Sequence, residues 1–558
     1  MHKRRRSPGI AGRPLAALCA ALLAAALLAV ASPLAQGSPR ARGAAVASAS
    51  PGGLVAFVDA RHRARRVPDG FLGLSYELSA LPRIASYHNT GDFVKLLRSL
   101  GHGVLRFGGV SADTRVTWAD QVTPRPAWAS VAITPDDLQR LAKVARRSGW
   151  RVLLTIGLVH FEPASAAREA AAAKAALGDR LAGIEVGNEP DSYMRHGLRA
   201  APWTFSEYGL EAAAYQTAIA AAAPGVPLAG PDVSGSAAFL RWGPGEVTQL
   251  RPGLLTGHHY PMGCHDQPAP SIARLLSVKT RTAETISTRR YMSIARASGI
   301  RFRMDETNTV SCGGTPGISD TFASALWAVS YIVHTMQAGL AGINFHGEPA
   351  NCHGYTPLCA PSGERLASGL LSARPEWYAL LLTRELVGDS PLRTVVRRAP
   401  AHRRGARGRR ARPGPPPAGS GAASTPGSAK GQQSPPSDLG AGPGGSGRPD
   451  VSVTSMVARD GTLHVVLLDA EAPGAAPVPI RVRVERGFGS ARLLALTAPS
   501  PTVSDGETLG GATVWGDGSW HEPAHLPVLP NKHGVIALDM GPASAALLTL
   551  APRRTQRR

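Results

Sequence analysis

Between residues 71 and 388 one pattern recurs. A short apolar run ends in polar residues, and an Ala-rich or amphipathic stretch follows before the next run begins. The runs are FLGLSYE (71–77), VLRFGG (104–109), VLLTIGL (152–158), AGIEVGNE (182–189), PLAGPD (227–232), LLTGHHY (254–260), IRFRMDE (300–306) and AGINFHG (341–347). Such runs fit strands covered on both faces. The stretches between them fit helices. In TPDDLQRLAKVARRSG, Thr134 is placed to cap a helix and Gly149 to stop it, and DTFASALWAVSYIVHTMQAG is a second candidate. Eight buried strands alternating with helices predict an α/β fold, a (β/α)8 TIM barrel over residues 67–388. A doubly wound open sheet is the rival arrangement, but no G-x-G-x-x-G follows the first strand.

After residue 388 the pattern changes. LRTVVRR, VSVTSMVA, TLHVVLLDA, IRVRVERG, RLLALTA, GVIALDM and SAALLTL are turn-punctuated and strand-like. They predict a C-terminal β-sandwich over 389–552, which LVAFVDA (54–60) joins from the other end of the chain. Residues 399–450 interrupt it with Arg, Pro, Gly and Ser and almost no large apolar side chain. They predict a disordered insert. At the other extreme, MHKRRR precedes the apolar run Leu15–Ala31, which closes on Ala29-Val30-Ala31. Basic region, apolar region and small-residue ending match a secretory signal peptide over 1–31, followed by a linker over 32–52. An uncleaved anchor is the alternative, although the run is at the short edge for spanning. The expectation is an exported protein with no membrane association after signal removal.

The net charge of +22 changes this picture less than it first promises. Lys3, Arg4, Arg5, Arg6 and Arg13 lie in the leader and Arg40 and Arg42 follow it. Nine arginines fall between Arg393 and Arg412, and four more close the chain in the basic tail 553–558. These account for almost all of the excess. No basic face with interleaved aromatics is visible along the chain, so a nucleic-acid partner is not expected. Of five cysteines, Cys19 leaves with the leader. Cys264, Cys312, Cys352 and Cys359 favour two disulfides in an exported chain, with three pairings open. No Cys-x-x-Cys occurs, and neither a metal nor a cofactor is expected.

In TIM barrels the chemistry sits at the C-terminal ends of the strands. The polar residues fall there: Glu77, Arg106, Asn188-Glu189, Asp232, His258-His259-Tyr260, Asp305-Glu306, and Asn344 with His346. Polar tips on nearly every strand predict a pocket for a polar ligand. Glu189 after strand four and Glu306 after strand seven stand on opposite walls. One carboxyl to protonate a leaving oxygen and one to attack an anomeric carbon is the pair that glycoside hydrolysis needs.

At these motifs the chain resembles the clan A retaining glycosidases. More specifically, it is similar to glycoside hydrolase family 79, the heparanase and β-glucuronidase family. The resemblance rests on SYE (75–77), RFGG (106–109), EVGNEPDSY (185–193), HHY (258–260), DET (305–307), CGG (312–314), SDTFA (319–323), the LxxELVG ending at Gly388, and SDGETLGGATVWGDGSW (504–520). It implies Glu189 as acid/base, Glu306 as nucleophile, and retention with carboxyls roughly 5 Å apart. The acid must hold a proton near neutral pH and the nucleophile must stay ionised. Tyr260, beside strand seven, is placed to donate to Glu306, and Asn188 to bind the sugar 2-hydroxyl. His258 either lines the site or is a core histidine. Glu77 and Asp113 either bind sugar hydroxyls or brace Arg106. Gly313, Gly314 and Tyr355 resemble the family's contacts to a uronate carboxylate. The family often carries an aromatic just before those glycines, where Cys312 stands here. Trp203, Trp242 and Trp327 are expected in the core.

The implied function is an exported retaining β-glucuronidase whose partner is a carbohydrate with β-linked uronic acid. The alternatives are an endo-acting heparanase- or hyaluronidase-like enzyme, a glycosidase for a neutral sugar, and a non-catalytic carbohydrate-binding homologue. Adjacency of the rim loops favours the disulfides Cys264–Cys312 and Cys352–Cys359 over the rival set Cys312–Cys352 and Cys264–Cys359.

Overall fold

Thr134 and Gly149 bound a helix, Pro135–Ser148. Thr134 Oγ1 accepts from the Asp137 amide at 3.3 Å while Asp137 Oδ2 accepts from the Thr134 amide at 2.9 Å. Gly149 ends the helix in a left-handed conformation at φ 82°. This reciprocal cap satisfies backbone donors that a helix start leaves open, and glycine takes a positive φ without a Cβ penalty. The structure, a computed structural model, describes residues 53–120, 125–399 and 449–553. The leader 1–31, the linker 32–52, nearly all of the Arg/Pro/Gly-rich insert and residues 554–558 of the tail lie outside the described residues.

The eight apolar runs are the eight strands of a closed parallel barrel. In chain order they are Leu72–Glu77, Val104–Gly108, Arg151–Ile156, Leu181–Val186, Leu228–Val233, Leu254–His259, Phe302–Thr307 and Gly342–Gly347, strands one to eight below. Each pairs in parallel with its chain neighbours, and strand eight closes onto strand one through Ile343 opposite Leu72. Helices follow them, among them Pro163–Leu177, Phe205–Ala222, Val278–Ser298 and Phe322–Ala338. Strands seven and eight are buried at every position. The polar residues that alternate along them, Arg303, Asp305, Asn344 and His346, are buried with the rest. Among the described residues no helix is long and apolar enough to cross a membrane.

The second layer is a ten-stranded, mostly antiparallel sheet. Its main path runs through Phe488–Thr497, Ser544–Pro552, Leu463–Asp469, Val451–Val457, Ser390–Arg398, Leu54–Arg63, Val478–Arg483 and Val535–Met540. Leu463, Val465 and Leu548 from one side of that path share a core with Ile480, Val482 and Ile536 from the other, so the sheet folds over on itself. Its opposite face packs on the barrel: Met456, Val466, Leu468, Leu494 and Leu547 belong to the same core as Trp327 and Trp377. Leu463–Asp469 is consequently buried along its whole length. Ala399 and Asp450, placed by sequence inside the insert, both hold the sheet. The Ala399 amide donates to Gly53, and the Asp450 carboxylate pairs with Arg281.

Candidate active site

Because all eight strands run the same way, their C-terminal ends share one rim. Strand four ends at Val186 and the chain turns through Gly187, at φ 78°. A Cβ there would meet the Tyr193 hydroxyl at 2.5 Å. Glu189 itself occupies the left-handed region, φ 48° and ψ 50°, and its amide donates to the Asp232 carbonyl at 2.9 Å. That conformation costs a non-glycine residue about 1–3 kcal/mol and persists only where the surroundings fix it. Glu306 stands across the mouth within strand seven. The Glu189 side chain is 25 % exposed and that of Glu306 only 9 %. One carboxylate therefore faces the opening and the other lies in the wall. An oxygen of each and a ring nitrogen of His258 all lie within 4.8 Å of one another.

Arg106, fully buried on strand two, holds the floor of the site. Its Nη1 donates to Glu306 Oε2 at 2.5 Å, and its Nη2 donates to Asn188 Oδ1 and to Asp232 Oδ2, each at 2.8 Å. Its Nε lies 3.3 Å from Glu185 and 3.4 Å from Asp305. Burial alone would disfavour the guanidinium charge, but four carboxyl groups around it hold its pKa well above the ordinary value. His258 completes the network. Its Nε2 is 2.7 Å from Asp232 Oδ1 and its Nδ1 is 2.9 Å from Glu189 Oε1. Burial lowers its proton affinity, yet Glu306, Asp232 and Asp305 outweigh that and raise it well above 6.5. His258 is thus part of this network rather than an isolated core histidine, hydrogen-bonded on both nitrogens with its charged form favoured.

Burial pushes the Glu306 carboxyl up, but His258, His346 and Arg106, with a hydrogen bond from Tyr260, hold it at about 2. Tyr260 donates to Glu306 Oε1 at 2.8 Å, and its oxygen is 3.3 Å from that of Tyr355. The Tyr355 amide donates to the Gly313 carbonyl at 3.1 Å. Gly313 and Gly314 take φ of 88° and 91°. A Cβ on Gly314 would meet the Tyr355 nitrogen at 2.4 Å, so the two rim loops touch through backbone. Cys264 is bonded to Cys312 and Cys352 to Cys359, bracing these same loops.

Two expected ligand contacts are placed differently. Asp113 is buried. Its Oδ1 accepts from the amides of Leu158 and Val159 and its Oδ2 from the Asn188 amide. It is corrected from a sugar contact, and equally from a brace of Arg106, to a clamp on the backbone of the turns that follow strands three and four. Glu77 accepts from the Ser111 amide at 2.8 Å and lies 3.8 Å from His346, not against Arg106. Glu77 keeps a partly exposed carboxylate at the rim. His346, Asp232, Asp305 and Glu185 were legible as polar residues on barrel strands, but nothing in the sequence showed that all four turn toward the Arg106–Glu306 pair. Trp203, Trp242 and Trp327 are buried, as expected for core residues.

Three clusters of metal-ligating residue types occur among the described residues. Cys264, His265 and Cys312 form one, but its sulfurs are tied up in the disulfide. Asp232, His258 and Asp305 surround the Arg106 guanidinium, which already supplies the positive charge there, and Glu189, His258 and Glu306 form the third. One His-x-x-x-His spacing does exist, His521 to His525 in HEPAH. It lies in exposed irregular chain with Pro523 inside, so the two rings do not share a helix face.

No family model matches the chain. A β-glucuronidase of Aspergillus niger (strain ATCC MYA-4892 / CBS 513.88 / FGSC A1513) is 28 % identical to it over 209 residues. The match takes in 34 % of this chain and spans 38 % of the length of that relative. A 4-O-α-L-rhamnosyl-β-D-glucuronidase from Fusarium oxysporum 12S shares the fold with a TM-score of 0.64 at 17 % identity, over 88 % of this chain and 98 % of that one. A GH51 arabinofuranosidase from Xanthomonas axonopodis pv. citri does so with a TM-score of 0.59 at 12 % identity, over 89 % and 100 %. In sequence and in fold this chain is similar to glycoside hydrolase family 79 and its clan A neighbours.

Proposed function

We propose that the protein is an exported retaining β-glucuronidase that removes terminal β-linked glucuronic acid by double displacement. The observation that carries this reading is the pair Glu189 and Glu306, which bring one oxygen each within 4.8 Å across one barrel mouth. Inverting enzymes need about 6.5–9.5 Å to admit a water, whereas retaining ones hold the carboxyls about 5–5.5 Å apart. Glu306 is the nucleophile: it is ionised, oriented by Arg106 and Tyr260, and set in the wall. It attacks the anomeric carbon as Glu189, at the opening, gives its proton to the leaving oxygen. Glu189 then deprotonates the water that hydrolyses the glycosyl ester. Arg106 takes up the Asn188 carbonyl and leaves the amide nitrogen to donate to the 2-hydroxyl. Tyr355 and the Gly313–Gly314 turn lie on the Tyr260 side, where a sugar carboxylate is to be received. The β-glucuronidase relative supports the uronate, and the basic-then-apolar leader supports export.

A panel of chromogenic glycosides tests this. The β-glucuronide is expected to be hydrolysed far faster than the β-glucoside or β-galactoside, and Glu306→Gln is expected to abolish turnover. Equal rates on the three sugars would remove the uronate assignment. Full activity in Glu306→Gln would remove the nucleophile.

A further inference from the structure

Read along the chain, the basic excess belongs to leader, insert and tail, and no basic face with an aromatic at its centre is visible. The folded sheet assembles one. Strand Leu54–Arg63 lies between Ser390–Arg398, antiparallel to it, and Val478–Arg483, parallel to it. Leu54, Ala56, Val58, Ile480 and Val482 point into the sheet core. The other face therefore carries Val55 opposite Arg397 and Arg481, and Phe57 opposite Val395 and Arg483. Arg397, Arg481 and Arg483 are exposed, and Phe57, at 37 %, is an exposed large apolar side chain. The guanidinium carbons of Arg397 and Arg483 stand 5.8 Å and 5.7 Å from the Phe57 ring centroid.

Among the described residues none of these three guanidinium groups is paired with a carboxylate. The acidic groups nearby are already engaged or peripheral. Asp59 is bonded to His62 and to the Arg61 amide, Glu485 faces Arg61, and Asp539 sits on the neighbouring strand opposite Pro479. Beyond Arg398 the sequence adds Arg403, Arg404, Arg407, Arg409, Arg410 and Arg412, so the chain leaving this face carries more of the same charge.

We propose that this sheet face binds an acidic polysaccharide, a polymer bearing uronate carboxylates, and holds it while the barrel acts on its end. The proposal rests on the glucuronidase reading for the choice of polymer. Guanidinium forks pair with carboxylates in two-point geometry. Arg397 and Arg481 flank the central strand at two strand spacings, about 9.6 Å, which is on the scale of a disaccharide. Phe57 offers a flat apolar surface between the charges, and its ring pins two of the arginines before any ligand arrives, which reduces the ordering cost of binding. A single ring edged by arginines is not a platform for successive stacked bases, which single-stranded nucleic acid requires.

The test uses the full chain carrying Glu306→Gln, so that the probe is not consumed, and a fluorescein-labelled hyaluronan oligosaccharide read by anisotropy. Added Arg397→Glu, Arg481→Glu and Arg483→Glu together are expected to weaken binding by about tenfold or more, because each sets a like charge against the polymer's carboxylates. The same three positions changed to Lys are expected to keep most of the affinity. Phe57→Ala, which leaves the charge intact, is expected to weaken it by a smaller factor. Unchanged affinity in both the triple Glu variant and Phe57→Ala overturns the proposal, as does equal affinity for duplex DNA at the same salt. The triple Glu change in the otherwise wild-type chain is expected to leave hydrolysis of an aryl β-glucuronide unaltered. If the wild-type chain does not hydrolyse that glucuronide, the function reading fails while the binding result stands on its own.

Discussion

The two glutamates proposed as acid/base and nucleophile have the same chemistry but different neighbours. Glu306 is deeply set yet ionised: His258, His346 and Arg106 surround it and Tyr260 donates to it. Removing one donor from a carboxylate raises its pKa, since the charged form loses a hydrogen bond of about 1.5–3 kcal/mol, or about one pH unit or more. Tyr260→Phe is therefore expected to move the acid limb of the kcat/KM profile to higher pH by about one unit, because the reactive form is the ionised one. An acid limb that stays in place while activity falls would assign Tyr260 to sugar binding instead. Glu189, Glu306 and Tyr260 stand out in the sequence because each lies at or just beyond the C-terminal end of a strand in a short polar motif. The roles of Arg106, Asp232 and Asp305 were not. A charged residue inside an apolar run shows where it is in sequence, but its partners come from strands up to 200 residues away.

At the scale of elements, the barrel was legible and its wiring was not. All eight runs are strands, as their shortness and their alternation with longer helical stretches predicted. Asp113 shows the limit. It lies next to RFGG and reads as a rim carboxylate, but its oxygens are taken by three backbone amides and it never meets the opening. The loop after strand eight shows the converse. Its Cys352–Cys359 bridge encloses Tyr355, whose amide binds the Gly313 carbonyl on the loop after strand seven. A Cβ on Gly354 would meet that carbonyl at 2.2 Å, so these loops fit only when held close. Replacing both cysteines with serine is expected to cost about 2 kcal/mol, the chain entropy of a short loop. It is also expected to raise KM for a β-glucuronide with kcat nearly unchanged, because Tyr355 is then ordered only on binding. Kinetics and a denaturant titration on the double variant check both. A fall in kcat at constant KM would show that the bridge supports the Glu189–Glu306 pair rather than the proposed sugar contact at Tyr355.

Across the whole molecule, the sheet and the barrel share one core, and the buried acids in it set how stability responds to pH. Glu169, Glu246, Glu284 and Glu376 are buried, and burial pushes each carboxyl to about 8. In the unfolded chain they return to the ordinary carboxylate range. Between that range and pH 8 the native state binds protons that the unfolded state has released, so stability declines as pH rises through the window. His258 acts in the same direction. Its folded pKa is raised by Glu306, Asp232 and Asp305 against the burial that lowers it, so its contribution is full below the unfolded value and is lost on the alkaline side. Glu306 opposes them in acid, where its contribution disappears as pH falls from the ordinary range toward about 2, and so do His259 and His334, each lowered to about 4 by burial, whose contribution grows as pH rises toward the ordinary histidine range; the four glutamates outnumber these two. The melting temperature is therefore expected to be higher at pH 5 than at pH 8 at constant ionic strength. Glu246→Gln should flatten that slope, because the amide fills the same space beside Gly230 and Tyr208 and cannot ionise. Calorimetry of the two proteins across this range decides it. A melting temperature that climbs steadily from pH 5 to pH 8 would mean that these carboxyls are ionised in the fold and paired in a way their surroundings do not show.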